Sequence, residues 1–180
     1  DVPLLNRHRY WHGARRMNRL SALAMCGWLL ASVSPTAVAQ DDAYSEDAYA
    51  TCSACHLPDG VGVPGAFPPI RNRAAAIAGL DGGRDYLITV VTYGLMGTIQ
   101  VGGVQYFGVM AGNAGPMTPE DIAAALNYVV FELNDNDSTE NEPFTAEEVE
   151  KTQAAIAVKS PTAAGELRKT LSNKHGDQWP

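Results

Sequence analysis

The sequence has few cysteines and no apolar run long enough to cross a membrane comfortably as a helix. Three of its 180 residues are cysteine, which is too few for either a four-cysteine zinc site or a disulfide framework. The apolar run LSALAMCGWLLASVS is shorter than the roughly 20 residues that a spanning helix needs. The length leaves room for one domain with some added tail, and no second full domain.

Basic residues are scarce beyond residue 39. From residue 40 onward the chain has eight Lys and Arg against nineteen Asp and Glu, a net charge of −11. Such a surface repels nucleic acid and anionic lipid. We therefore expect no nucleic-acid partner, and we expect protein partners with a basic docking patch.

Residues 1–39 are typical of an upstream extension followed by a cleaved export signal. After Met17 come basic Arg19, the apolar run, and PTAVAQ, where Ala37 and Ala39 form a small-x-small cleavage site. Cleavage after Ala39 makes Gln40 the first mature residue and predicts a periplasmic protein of a bacterium. The alternative is an uncleaved leader that anchors the chain to the membrane.

Beyond the leader, the sequence predicts short helices joined by loops rich in Gly and Pro, such as GVGVPGAFPPIRN. The predicted helices cover 44–56 with Ser45 as N-cap, 81–94 with Leu87, Val90 and Val91 on one face, 117–133 capped by Thr118, and 145–158 with a capping box from Thr145 to Glu148. The β-branched residues in LITVVTYG leave a strand as the alternative there. The last 21 residues fit either a polar tail or one more short helix.

The stretch TCSACH places Cys52, Cys55 and His56 at the spacing C-x-x-C-H. A disulfide oxidoreductase normally carries C-x-x-C in a chain that alternates strands and helices, which this sequence does not. Covalent haem attachment needs this order, because each thiol adds to one vinyl group and the adjacent imidazole reaches the iron. The motif predicts one covalently attached haem c per chain, and a chance C-x-x-C-H is the alternative.

With CSACH, the stretches GAFPPI, GTIQVGGVQYFGVMAG and TPEDIAAALNYV resemble the class I mono-haem cytochromes c of bacteria. The resemblance covers about residues 41–150 and is strongest to small periplasmic carriers and to the domains fused to copper nitrite reductases. It implies an all-α fold in which short helices surround one haem and the terminal helices cross. The implied organisation is a leader over 1–39, a cytochrome domain over 40–137, and a C-terminal helical extension and tail over 138–180.

The same resemblance implies His56 and Met110 as the two axial ligands of the iron. Met110 lies in YFGVMAG, which matches the family's ligand loop. Met96 and Met117 are the alternatives, since a methionine is most often core filler. Where the family usually has Pro after the ligand, this chain has Ala111, so we expect a looser loop.

Matching to the family also implies the surroundings of the haem. The Pro68 carbonyl would accept the second N–H of His56, Ile70 would cover the haem edge, and Tyr49 would pack on Tyr128 where the terminal helices cross. Candidates to neutralise the haem propionates are Arg71, Arg73 and Arg84.

The function implied is that of an electron carrier of a respiratory chain and not of an enzyme, because two axial ligands leave the iron no open site for a substrate. Its partners would be redox proteins. One alternative is a haem-bearing electron-entry subunit of a larger complex, favoured by an uncleaved leader and the C-terminal extension. The other is a haem sensor or catalyst, which requires that Met110 does not ligate.

Overall fold

The structure, a computed structural model, describes residues 43–135 and 140–180. Within these ranges the chain forms six α-helices and one antiparallel pair of strands. The elements in order are α1 (Glu46–His56), α2 (Arg73–Ala78), α3 (Gly83–Tyr93), β1 (Leu95–Val101), β2 (Val104–Met110), α4 (Pro119–Asn127), α5 (Ala146–Ala155) and α6 (Pro161–His175). A π-helical turn, Tyr128–Glu132, continues α4, and a 3₁₀ turn, Gly176–Gln178, follows α6.

The predicted N-caps of α1 and α4 are confirmed, whereas α2 was not predicted and α5 ends at Ala155, before the predicted end at 158. Ser45 caps α1 by accepting a hydrogen bond from the Ala48 amide at 3.1 Å. At the start of α4, Thr118 and Asp121 cap each other's backbone amides reciprocally. The segment that could have been a strand is the helix α3, which ends at Gly94 with φ 83°, a conformation that favours glycine.

The all-α prediction is right for most of the described chain and wrong at the hairpin of β1 and β2. The strands pair from Leu95 with Met110 to Val101 with Val104. Gly102 and Gly103 have φ values of 56° and 79°, which is what a two-residue turn matching the twist of the strands requires. The VGGV stretch, flanked by Thr, Ile and Tyr, carries this signal in the sequence.

One apolar core joins the helices. Each helix buries at least one side chain in it: Tyr49, Ile77, Ile88, Ile122, Val149 and Leu171, in chain order. The rings of Tyr49 and Tyr128 stack with centroids 5.2 Å apart, which confirms the predicted contact between the two regions.

Residues 140–180 belong to the same core. Helix α5 packs on α3 and α4, while α6 packs on α3 and β1. The choice between a polar tail and a helix is settled by α6, which has 15 residues and buries Ala164 and Leu171. The predicted leader over 1–39 and the boundary between 137 and 138 lie outside the described residues.

Buried Asn127, which the sequence analysis did not single out, ties the first described residue and the segment before α5 to α4. Its side-chain amide donates to the carbonyl oxygens of Ala43 at 2.9 Å and Phe144 at 3.0 Å. Its side-chain oxygen accepts from the Phe144 amide at 2.6 Å. An amide side chain satisfies three backbone groups that would otherwise lose a partner on burial.

We predict that Asn127→Ala lowers the free energy of unfolding of the haem-loaded protein by about 3 kcal/mol, because buried backbone groups lose their partners. Guanidinium chloride denaturation measures this change. The control is Asn173→Ala at an exposed position of α6, which should stay within about 0.5 kcal/mol of the wild type. Equal stability of the two variants would contradict the prediction.

Candidate functional site

The last turn of α1 presents the C-x-x-C-H motif. Cys52 and His56 are one helical turn apart and therefore share a face, and both line the same crevice. Cys55 is solvent-exposed. The two thiols are free and do not form a disulfide, and burial, with a smaller contribution from Cys55, raises the pKa of the Cys52 thiol.

His56 is buried and held in one orientation. Its Nδ1 lies 2.9 Å from the carbonyl oxygen of Pro68, the acceptor that the sequence predicts. A carbonyl can only accept, so Nδ1 carries the proton and the lone pair of Nε2 is free for a metal. Burial lowers the pKa of His56, Arg73 lowers it further, and the hydrogen bond to Pro68 partly opposes them. The imidazole is therefore neutral at neutral pH, the form that binds iron.

The loop after α1 brings Pro68 back to His56. The Gly62 amide donates to the His56 carbonyl at 3.0 Å, and the Gly60 carbonyl accepts from the Ile70 amide at 2.8 Å. A Cβ at Gly62 would lie 2.4 Å from the Phe67 carbonyl oxygen, and its φ is 65°. Glycine is therefore required where the loop closes on the histidine.

An apolar crevice of about 710 Å³, measured with its open mouth, lies beside this loop. Pro68 and Ile70 line it from the loop. The other apolar lining residues are Ala74, Leu87, Val90, Val91, Leu95, Ile99, Ala125, Leu126 and Val129. The face of α3 predicted from Leu87, Val90 and Val91 is thus a wall of the crevice.

Of the three candidate methionines, Met110 is the one that lines the crevice. Met96 pairs with Val109 on the other face of the hairpin and is 56% exposed. Met117 packs against the core just before α4. The hairpin thereby brings a thioether into the crevice that His56 lines from α1.

The chain just after Met110 is fixed to the end of α3. The amides of Asn113 and Ala114 donate to the carbonyls of Val91 and Thr92 at 2.9 and 3.0 Å. A Cβ at Gly94 would lie 2.3 Å from the Met110 carbonyl oxygen. These contacts hold the loop around Ala111, where the family usually has Pro.

The three arginines predicted near the propionates have different surroundings. Arg71 pairs with Asp135 at the surface. Arg84 pairs with Glu148 at 2.5 Å and lies over the Phe144 ring. Because Glu148 turns to Arg84, the capping box predicted at Thr145 is half formed, with only the Glu148 amide donating to Thr145.

Arg73 alone of the three lines the crevice, and its buried Nη2 has no hydrogen-bond partner. Burial is the main reason that its pKa is lowered. The crevice therefore combines an apolar interior with thiols, a neutral imidazole, a thioether and one buried guanidinium. These groups fit a haem, which has an apolar macrocycle, a central iron and anionic carboxylates.

This arrangement defines a protein of the c-type class, in which the haem is covalently bound. Over 107 residues the chain is 47% identical to a cytochrome c-552 of Thermus thermophilus, and the alignment covers 59% of this chain and 81% of that protein. A second cytochrome c-552 of the same species is also 47% identical over 107 residues, which cover 59% of this chain and 72% of that relative. No family model matches the chain.

The chain belongs to the mono-haem c-type cytochromes, a family of electron carriers. Its cofactor is one covalently bound haem c with its iron. The predicted cofactor is therefore confirmed.

Sequence reasoning missed part of the crevice. Leu95 and Ile99 were not expected there because no helix or strand was predicted for their segment, although the GG turn could have revealed the strands. Tyr86 borders the crevice from α3, and it lies four residues from the predicted Val90 on the same helical face. That spacing was a usable signal.

We predict that the haem of the wild-type protein survives denaturation and acid-acetone extraction, because thioether bonds hold it. Replacing Cys52→Ser and Cys55→Ser together should abolish this retention, as absorbance of the protein fraction after extraction will show. Ser53→Ala, within the same motif, is the control and should retain haem. Free extraction of wild-type haem would refute covalent attachment.

Proposed function

We propose that the protein is a periplasmic electron carrier whose haem is attached through Cys52 and Cys55 and whose iron is ligated by His56 and Met110. The fold would be the class I cytochrome c fold. The observation that carries this proposal is that His56, from α1, and Met110, from β2, line one crevice. When bound, a haem with two axial protein ligands exchanges one electron and offers no open position to a substrate.

The residues around the crevice favour this use. The hydrogen bond to Pro68 keeps His56 Nε2 available and the ring orientation fixed, and small reorganisation suits electron exchange. The aliphatic side chains of α3 and α4 keep water from the interior. Exposed Cys55 would place the thioether edge at the surface, where electrons enter and leave.

The predicted export signal over 1–39 supports the periplasmic location. No helix among the described residues is long and apolar enough to cross a membrane. The alternative of an electron-entry subunit was favoured by an uncleaved leader and by the C-terminal extension. The second feature supports it less, because α5 and α6 pack into the core of this same chain. The finer resemblance to the domains fused to copper nitrite reductases stays a prediction.

Met110 ligation is tested by spectroscopy. The oxidised protein should show the weak near-infrared sulfur-to-iron charge-transfer band, and the reduced protein should bind carbon monoxide slowly at neutral pH. Met110→Ala should remove the band and open the site, because only the methionine bonded to iron supplies this transition.

Met96→Leu and Met117→Leu are the matched controls and should keep the band, since exchanging a packing methionine for leucine usually costs less than about 1.5 kcal/mol. Rapid carbon monoxide binding by the wild type, together with an absent band, would favour the sensor or catalyst instead.

We also propose that the negative surface attracts a basic redox partner. The charge of −11 from residue 40 onward supports long-range attraction. Val61, Val63 and Phe67 on the loop after Cys55 are 44%, 39% and 39% exposed and would supply apolar contact at short range. Redox contacts of this kind are small and short-lived.

Two small redox reagents of opposite charge test the electrostatic attraction by the negative surface, and the test does not need the partner protein. Electron exchange with a cationic ruthenium ammine should slow as salt rises, and exchange with anionic hexacyanoferrate should accelerate, because the Debye length falls to about 10 Å at 0.1 M. Stopped-flow absorbance measures both rates. Rates that are flat across ionic strength for both reagents would exclude steering and leave apolar contact as the explanation.

A further inference from the structure

The residue directly after His56 has a backbone conformation that a side chain normally excludes. Leu57 follows α1 with φ 66° and ψ 159°, a combination that is almost confined to glycine. Within the described ranges, Asn72 is the one other non-glycine residue with a positive φ, and asparagine tolerates such values more readily than leucine. Backbone strain of this kind persists only where surrounding contacts impose it.

Buried Tyr49 supplies one of the contacts that hold Leu57. The Tyr49 hydroxyl donates to the Leu57 carbonyl at 2.6 Å. The same carbonyl accepts from the Gly60 amide at 3.1 Å, so both of its lone pairs are used. The Leu57 amide donates to the Ser53 carbonyl at 2.9 Å. Because the Tyr49 ring stacks on Tyr128, its hydroxyl is a fixed donor that holds the strained residue from the core.

The turn that starts at Leu57 leads to the acceptor of the histidine. Gly60 ends this turn, and its carbonyl accepts from the Ile70 amide at 2.8 Å. Ile70 lies two residues after Pro68, whose carbonyl oxygen is 2.9 Å from Nδ1 of His56. The position of Pro68 therefore depends on Gly60, and the position of Gly60 depends on the Leu57 carbonyl.

The hydroxyl of Tyr49 is not needed for packing. A phenylalanine would offer the same ring to Tyr128, and burying a hydroxyl is unfavourable unless it finds a hydrogen-bond partner. Burial raises the pKa of the Tyr49 hydroxyl, with a smaller contribution from Cys52, so the group keeps its proton and remains a donor. Its acceptor is the strained residue beside the histidine, which points to a role at the site.

We infer that Tyr49 is a positioning residue for His56, because its hydroxyl holds Leu57 in the strained conformation that brings Pro68 to the imidazole. This inference rests on the proposed function, in which His56 ligates the iron. Without the hydroxyl, Leu57 would relax toward a negative φ, the turn would shift, and the hydrogen bond from Nδ1 to Pro68 would open more often. An imidazole whose N–H loses its acceptor is a weaker donor to ferric iron.

The test measures solvent exchange of the His56 ring N–H by NMR of the reduced holoprotein, with its histidines labelled with ¹⁵N. Tyr49→Phe keeps the ring on Tyr128 and removes the hydroxyl. We expect exchange that is about fivefold faster or more, the factor that corresponds to the loss of one ordinary hydrogen bond. The reduction potential should also rise, because ferric iron loses donation from the ring. Unchanged exchange in haem-loaded Tyr49→Phe would overturn the inference.

Tyr93→Phe is the matched control. The Tyr93 hydroxyl also donates to a backbone carbonyl, that of Gln153 at 3.2 Å, and joins α3 to α5, which carry neither His56 nor Pro68. This variant should leave the exchange of the His56 ring N–H at the wild-type rate. Faster exchange by the same factor in both variants would mean that Tyr49 acts through general stability, and the inference would fail.

A second change tests the role of the strain. Glycine adopts a φ of 66° at no steric cost, so Leu57→Gly removes the need for the Tyr49 hydroxyl. Leu57→Gly alone should leave the exchange rate near that of the wild type, and Leu57→Gly combined with Tyr49→Phe should bring it back toward that rate. If Tyr49→Phe alone does not load haem, the double variant should restore loading. A double variant that is no better than Tyr49→Phe would contradict the inference.

The same samples separate this inference from the proposed function, since covalent attachment and the sulfur-to-iron band are measured on them. If both are intact while the exchange does not respond to Tyr49→Phe, this inference fails and the proposed function stands. If the wild type lacks the band while the exchange responds, ligation by Met110 fails and the positioning of His56 by Tyr49 stands.

Discussion

The hydrogen bond from His56 to the Pro68 carbonyl connects the chemistry of the site to the fold. It joins residues that are twelve positions apart and leaves Nε2 as the nitrogen that is free for a metal. Because Pro68 has no amide hydrogen, its carbonyl serves this contact outside any regular element. Gly62 permits that closure, because a Cβ at this position would lie 2.4 Å from the Phe67 carbonyl oxygen. The loop, the tautomer and the crevice wall thus follow from one contact.

Much of the fold and site could be predicted from local signals. Caps such as Ser45 and Thr118 act within one helical turn, so the sequence alone reveals them. The order of Cys52, Cys55 and His56 is likewise local. The hairpin was missed because the end of β2 was taken as part of a ligand loop, no element was assigned to β1, and the glycine pair at the turn was given no weight. The surroundings of Arg84 and Arg168 depend on residues more than 60 positions away, and no periodicity encodes such pairs.

The loop after the hairpin is restrained even though Ala111 stands where the family usually has Pro. A proline restricts a loop through its own ring, whereas here the restriction comes from neighbours, through the amides of Asn113 and Ala114 on α3. Tight contacts at Gly94 and Gly112 act in the same direction. Rigidity of the loop after Met110 is therefore a property of its anchoring, and one substitution in the loop does not determine it.

The packing of the C-terminal helix on α3 and β1 has a consequence for the order of assembly. Contacts such as Arg73 with Pro180 and His175 with Asp81 span 107 and 94 residues, and such long-range closure is slow compared with helix formation. A chain emerging from its N-terminus makes α1 and its thiols long before α6 exists. The thiols that hold the cofactor therefore form part of a local element, whereas the packing of α6 on α3 and β1 needs contacts between distant parts of the chain.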